Sequence, residues 1–368
     1  MSGVALPRTS PAYQEEASAQ TVAAPLGYWR AALHRYGVSV LLEKRAVAVN
    51  IGLSAVLLAA CVLYLSLGSV TLSPSAVVAS LIGQGDSMTT FMVQQLRLPR
   101  LIAACFTGAA FALAGVLMQT LARNRLATPG IIGIDNGATA FAVASIVGLG
   151  VGIAPPAMAL AGATTAAVLT FGLAAGSGTQ GYRFIVAGIG VGAVFGAVTQ
   201  LMLARVAIDT ANAAYPWTVG SLNARPASAV QLLGIGLALG LVAALALARS
   251  LTLLRFKDAT ASGLGTAVKA RRLQVLLLSV VLTALAVAVA GPVGLVALIG
   301  PEIARSLSSA RHVPILAATL AGALVMVLAD LAGRTLFAPI EIPVGIVTAV
   351  VGGPWLLWIL MRPQRSRP

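Results

Sequence analysis

Few side chains in this 368-residue sequence are equipped for chemistry. The two histidines, His34 and His312, are too few for a histidine-based metal site, and no H-E-x-x-H segment occurs. Cys61 and Cys105 both fall inside apolar runs, where a thiol behaves as a small hydrophobe. No G-x-x-x-x-G-K-[ST] segment is present, so the chain has no phosphate-cradling loop of its own. The acids Asp135, Asp209, Asp258, Glu302, Asp330 and Glu341 fall at or near the ends of apolar runs, whereas an ion-coupled carrier needs some near the bilayer midplane. Guanidinium groups remain. Arg97, Arg100 and Arg334 stand beside apolar segments on a sparsely charged side, where the planar fork suits charge-assisted pairing with a partner's carboxylates. Snorkelling to phosphate headgroups is the competing reading.

The elements that position these groups are membrane helices. Apolar residues make up 58% of the chain and charged ones 9%, with mean hydropathy +0.94, where a soluble domain carries about 25% charge. The fold class is all-α and polytopic. About ten spans of membrane-crossing length are read at 46–68, 98–121, 131–150, 154–176, 184–206, 228–250, 272–290, 291–308, 312–333 and 343–361. The cut at Gly291-Pro292 divides one long apolar run. With the N-terminus inside, all Lys and Arg except Arg97, Arg100, Arg205, Arg225 and Arg334 fall on the inner side, as the positive-inside rule requires. The net charge of +14 is therefore topological and does not indicate nucleic acid. Residues 1–45 read as a partly disordered cytoplasmic tail, 46–362 as the transmembrane domain and 363–368 as a cytoplasmic C-terminal tail. The first apolar run is too long for a cleaved signal.

Within this frame four stretches stand out. Arg97 and Arg100 precede a helix with Gly108, Ala110, Ala114 and Gly115, small residues that let other helices approach, so it is expected to pack against protein more than lipid. Ser73-Pro74 reads as an N-cap and N1 proline of a short outer helix. Gly188, Gly192 and Gly196 recur at four-residue spacing, either for helix packing or to line a passage. In the inner loop 251–272, Asp258 to Ser262 can form a helical turn, Gly263 and Gly265 break it, and Lys269, Arg271 and Arg272 anchor the next span at the membrane surface. The loop 207–227 is read as irregular and external, with Trp217 at the interface.

R-L-P-R at 97–100, the small-residue helix with Gln119, and N-x-L-A-x-P-x-x-x-G-x-x-x-G-A from Asn124 resemble the FecCD family of permease subunits of ABC importers for iron-siderophores, haem and cobalamin. The resemblance runs over about 46–362 and continues in L-A-D-L-A-G-R to Arg334, in E-x-P-x-G from Glu341, and in G-x-P from Gly352 with Trp355 near the family's aromatic position. It implies a type II ABC importer permease fold in the bacterial inner membrane. It also implies a second permease subunit, two cytoplasmic ABC ATPases holding ATP and Mg, and a substrate-binding protein that delivers a metal chelate. Ferric siderophore is the expected cargo, with haem or cobalamin as alternatives and ion-coupled transport as a more distant one. By the same resemblance Arg97, Arg100 and Arg334 dock the binding protein. Asp258, Ala259, Ala261, Gly263, Leu264 and Gly265 match the ATPase-coupling segment, and the helix of Gly188, Gly192 and Gly196 lines the pathway. Asn124, Pro301, Glu302 and Arg305 form a gate or structural cluster at the inner face. Two departures stand in it: Glu302, where the family commonly has histidine, and Arg125, where it has proline. Pairing of Glu302 with Arg305 is the simplest use of that acid.

Overall fold

One helix runs through the middle of the molecule because its sides are built from alanine and glycine. The structure, a computed structural model, describes residues 25–33, 38–68, 70–148, 152–174 and 182–361. The extreme tails and His34 lie outside the described residues. In chain order the elements are strands β1 (Tyr28–Leu33) and β2 (Val38–Glu43), then helices α1 (Lys44–Ser66), α2 (Pro74–Leu81), α3 (Ser87–Phe91) and α4 (Leu98–Ala122). A π-helical turn, Met92–Arg97, joins α3 to α4. Then come α5 (Ile134–Ile146), α6 (Pro155–Leu173), α7 (Tyr182–Ala204), α8 (Ile208–Val219), α9 (Ala227–Ala246) and α10 (Ala248–Leu254). The series ends with α11 (Asp258–Gly263), α12 (Val268–Ala290), α13 (Val296–Leu307), α14 (Ile315–Thr335) and α15 (Val344–Met361).

The chain divides into two compact units, 1–48 and 49–368. In the first, β1 and β2 pair antiparallel from Tyr28 opposite Glu43 to Leu33 opposite Val38. This hairpin falls in the segment that composition marks as tail. The Lys44 ammonium sits 5.8 Å from the Trp29 ring centroid, which ties the start of α1 to the hairpin.

In the second unit α4 is the centre. Of its most apolar stretch 83% is buried, against 11% for α1, so the expectation that it packs on protein holds. Helices α12, α13 and α14 surround it. The close approach is set by glycine: a methyl group at Gly108 would strike the Gly322 carbonyl of α14, and one at Gly115 the Ala297 carbonyl of α13. The hydroxyl of Ser279 on α12 donates to the Ala114 carbonyl at 2.9 Å, a polar tie where water is absent.

Each expected span contains a helix. Seven described helices are long and apolar enough to cross a membrane, and α5, α13 and α15 complete the set. Two are shorter than their apolar runs: α5 has 13 residues and α13 has 12, a rise of about 18–20 Å at 1.5 Å per residue, short of a 30 Å core. Gly130 and Gly133, the latter at φ +80°, hold the entry to α5 in a 3₁₀ turn, Pro129–Ile132. Gly291 at φ +74° and Pro292 lie in non-helical backbone before α13. Non-helical backbone at this depth must be satisfied from inside the protein. Thr170 donates to the Ile132 carbonyl at 2.9 Å, Ser221 N–H to Ala290 at 2.7 Å and Gln119 to Ala297 at 3.1 Å.

Helix α2 begins as its sequence requires, with Ser73 Oγ accepting from Ala76 N–H at 3.2 Å. The 207–227 segment differs from expectation. It contains α8, which ends on Pro216-Trp217-Thr218-Val219, and Trp217 is buried with the Arg225 guanidinium 4.1 Å over its ring. Its indole is used for packing and cation–π contact rather than for the lipid interface.

Candidate functional site

At one end of the bundle the chain presents a short helix outside the long ones. Lys257 is extended, α11 makes barely more than one turn, and Gly265 at φ +81° stops it while Thr266 N–H bonds back to the Ala261 carbonyl. Ala261 is wholly buried and Leu264 is 55% exposed, so one side of the turn is seated and the other presented. Ala259 and Gly263 lie in the same turn, and a methyl at Gly263 would meet nothing.

Asp258 at its start receives two guanidinium groups. Arg123 donates at 2.6 Å and Arg272 donates twice at 2.7 Å. Those hydrogen bonds, Arg123 first, hold the Asp258 carboxyl below the usual carboxylate range. Arg272 therefore does not anchor α12 at the lipid surface. It lies one turn inside a helix that already begins at Val268, and its side chain reaches back to α11. Arg123 terminates α4 in a left-handed conformation, φ 50°, and also donates to the Leu254 carbonyl at 2.9 Å. Through one carboxylate, α11 is pinned to both α4 and α12.

Beside it lies a cavity of about 350 Å³ whose lining includes Arg123, Arg125, Arg255 and Arg305. Asn124 Oδ1 caps the following turn by accepting from Leu126 N–H at 2.9 Å, so the turn forms with arginine in place of proline at 125. Glu302 pairs with Arg305 one turn on, at 2.7 Å and 3.0 Å, as their spacing suggests. Arg305 also donates to Gln119 Oε1 at 2.6 Å, which joins α13 to α4, while Pro301 is buried within α13. Arg125, 73% exposed, approaches Glu302 at 3.6 Å.

The opposite end gathers the other arginines. Arg97 is buried and donates to the carbonyls of Leu65, Ser66 and Val70, which closes the end of α1. Arg100 reaches across to α14, pairing with Asp330 through Nε at 2.9 Å and Nη2 at 3.0 Å, and with Glu341 at 2.7 Å. Asp330 is buried and also accepts from the Tyr64 hydroxyl at 2.5 Å. The Arg334 guanidinium lies 4.8 Å over the Tyr64 ring. Arg97, Arg100 and Arg334, named together from the sequence, thus line one cavity, and the first two are already engaged within the chain. Sequence reasoning missed their partners Tyr64, Asp330 and Glu341, and it missed Arg225. Burial holds Arg225 down at about 10, below the ordinary guanidinium value.

The glycines of α7 do not act as one stripe. A methyl at Gly188 would strike the Ile131 carbonyl and one at Gly192 would lie 3.0 Å from Asn136 Nδ2, so the first seats the 3₁₀ turn and the second the start of α5. Gly196 meets nothing within 4 Å. Residues four apart advance about 40° beyond a full turn, so Gly196 has rotated away from that contact.

A sequence profile described as the FecCD transport family matches residues 56–362. The chain belongs to the FecCD transport family. Among similar FecCD proteins, the ferric enterobactin transport system permease protein FepG of Escherichia coli (strain K12) is 36% identical over 307 residues, covering 82% of this chain and 91% of that one. The Fe(3+)-citrate import system permease protein YfmE of Bacillus subtilis (strain 168) is 36% identical over 333 residues, 88% and 98% of the two chains. The hemin transport system permease protein HmuU of Yersinia pestis is 35% identical over 282 residues, 74% and 84%. Among solved structures, an inward-facing metal-chelate type ABC transporter superposes with TM-score 0.75 at 26% identity, over 86% of this chain and all of that one. The fold is therefore the multi-pass permease fold of that transporter class.

One acid in this FecCD chain departs from its expected setting. Asp135 opens α5, but because α5 starts late the residue is inside the bundle. A methyl at Gly130 would come within 2.6 Å of its carboxylate, and its Oδ1 has no hydrogen-bond partner. No cation pairs with it among the described residues. Among those same residues no cluster of three or more His, Cys, Asp or Glu is arranged to hold a metal ion.

Proposed function

We propose that this chain is the membrane subunit of an ATP-driven importer of metal chelates, with ferric siderophore the foremost cargo and haem or cobalamin the alternatives. The observation that carries the reading is α11, an exposed turn held by one carboxylate to the two helices at the centre of the bundle. Such a turn gives a soluble motor a handle on the permease core, and the family supplies the motor's identity. Two ABC ATPases bind and hydrolyse ATP with Mg, and the permease hydrolyses nothing itself. Asp258, Ala259, Ala261, Gly263, Leu264 and Gly265 form the docking element. Displacement of α11 on ATP binding pulls on α4 through Arg123 and on α12 through Arg272, shifting the permease between two states of different partner affinity.

A second permease subunit, identical or paralogous, completes the passage, with α7 and its open Gly196 at the shared boundary. Substrate reaches the outer end from a binding protein guided by the arginines there. The inner ring of Glu302 and Arg305 closes the cytoplasmic side. In this reading the chain resides in the bacterial inner membrane with both termini in the cytoplasm. Support for that orientation comes from the basic residues, which concentrate at the end that carries α11.

The test is reconstitution with the ABC ATPase into vesicles and measurement of radio-iron uptake from defined chelates. ATP-dependent uptake that stops without the ATPase is expected. Failure to form a complex with the ATPase, or uptake driven by a proton gradient in its absence, would overturn the reading.

A further inference from the structure

Cys61 on α1 and Cys105 on α4 come from apolar runs 44 residues apart, yet the fold sets their sulfurs 4.0 Å from one another. They are the two cysteines of the sequence, and each is partly exposed. Two fixed points hold the pair in register. One turn beyond Cys61, Arg97 donates to the carbonyls of Leu65 and Ser66, and the Tyr64 hydroxyl donates to Asp330 on α14. Cys105 lies about two turns into α4 from that same Arg97. At this level α1 and α4 cannot slide past each other without breaking those bonds. Away from it α1 is loosely held, with 11% of its most apolar stretch buried, the least of the seven long spans.

Depth selects the reagent. Cys61 precedes Ser66, the last residue of α1, by five positions, and Cys105 follows Arg100 by five, so each sulfur is carried about 8 Å along its helix axis into apolar sequence. Water-soluble thiol buffers do not enter hydrocarbon. A quinone does, and it takes up two electrons and two protons, the equivalents that two thiols release on joining.

We propose that Cys61 and Cys105 are a redox dithiol, which a quinone dissolved in the bilayer oxidises to a disulfide that fastens α1 to α4. One sulfur gives up its proton and adds to a ring carbon of the quinone. The second gives up its proton and attacks the first, so the S–S bond forms as the S–C bond breaks. The ring departs as hydroquinone with both electrons and both protons. Rotation of the two side chains brings the sulfurs to bonding distance, about 2 Å. The bond closes a loop containing α2, α3 and the π-helical turn, and gives the least buried long span a covalent hold on the central helix.

The test uses the pre-reduced full-length chain in lipid nanodiscs, with decylubiquinone as probe in the absence of oxygen. Free thiols are counted by denaturing in SDS, adding a maleimide-linked polyethylene glycol and running a gel without reductant. Wild type is expected to pass from two labelled thiols to none while staying monomeric, and to regain both after dithiothreitol. Its melting temperature should rise by about 5 °C or more on oxidation, because the cross-link constrains the unfolded chain. Cys61→Ser and Cys105→Ser each keep one thiol and show no such rise. Leu58→Cys/Cys61→Ser moves the α1 thiol to a position 68% exposed, and should lose its thiols about tenfold more slowly or worse. Wild-type thiols that stay free under quinone, a lasting quinone adduct, disulfide-linked dimers, or equal rates for the displaced pair would each overturn the proposal. The modification needs neither cargo nor ATPase, so failed oxidation leaves the transport reading intact, and failed transport leaves the dithiol intact.

Discussion

Replacing Asp330 by alanine should be among the most damaging single changes at the end of the bundle that carries Arg97 and Arg100. Its carboxylate is 1% exposed and accepts three hydrogen bonds, one from Tyr64 and two from an Arg100 side chain that is itself 13% exposed. Deleting one member of a buried ion pair leaves the other charged and dry, at a cost of about 3–5 kcal/mol. Arg100→Met should cost a similar amount from the other side. The double variant Arg100→Met/Asp330→Ala removes both charges and leaves chiefly the Tyr64 hydroxyl unpaired, so its cost should fall back to about 1–3 kcal/mol. Glu341→Gln, at a carboxylate that is itself 46% exposed, should cost less than about 1 kcal/mol. The assay is unfolding of the purified permease in mixed micelles across an SDS series, read as a double-mutant cycle. A coupling of about 2 kcal/mol or more is expected. If the double variant is as unstable as the sum of the singles, the Arg100–Asp330 pair is not the structural unit described here, and Arg100 is free for other work.

Other outcomes follow from the same geometry. Gly115→Ala should destabilise the bundle by about 1–3 kcal/mol, since the added methyl meets the Ala297 carbonyl, whereas Gly190→Ala meets nothing and should be neutral or stabilising in the same unfolding series. The Asp258 carboxyl is depressed by its two arginines, so the tether it makes is present above the ordinary carboxylate range and is lost as pH falls through the depressed value, below about pH 4. A spin label on Leu264 should therefore show unchanged mobility between pH 6 and 8 and greater mobility in Asp258→Asn at every pH. A label equally immobile in Asp258→Asn would refute the tether. Asp135→Asn neutralises an acid whose buried Oδ1 has no partner and should leave thermal stability unchanged or raise it by about 1 kcal/mol. A marked loss of stability would mean that the acid has a partner the geometry does not reveal.

Much of the bundle was legible because apolar runs and basic loops report directly on the bilayer. Each run predicted a helix, and the Ser73 cap and the Glu302–Arg305 pair were readable because they are local. What was not legible is nonlocal or geometric. Hydropathy counts side chains and says nothing of whether backbone is helical, so the late starts of α5 and α13 were invisible behind continuous apolar sequence. Asp330 reads as a span-end acid until the fold brings Arg100 to it from 230 residues away. Arg272 looks like a membrane anchor until α11 places Asp258 within reach. Trp217 carries the signature of an interfacial residue, and only tertiary structure reveals the guanidinium stacked on it. The α7 glycines share a spacing but not a neighbour, because small angular drift accumulates along a helix. For Arg225 one signal existed in the sequence: it belongs to the short set of external arginines that break the charge asymmetry.

The interrupted entries to α5 and α13 bear on how a conduit through this bundle should be sought. Hydroxyl and amide side chains at that depth, Thr170, Ser279 and Gln119 among them, are each committed to a main-chain oxygen on another helix. They behave as mortar between neighbouring elements, and stripping one away removes a tie that no solvent can replace. Polar residues within the spans are therefore poor landmarks for the route a bulky cargo takes. Surfaces with nothing yet against them, such as those of α7 at Gly190 and at Gly196, are better ones.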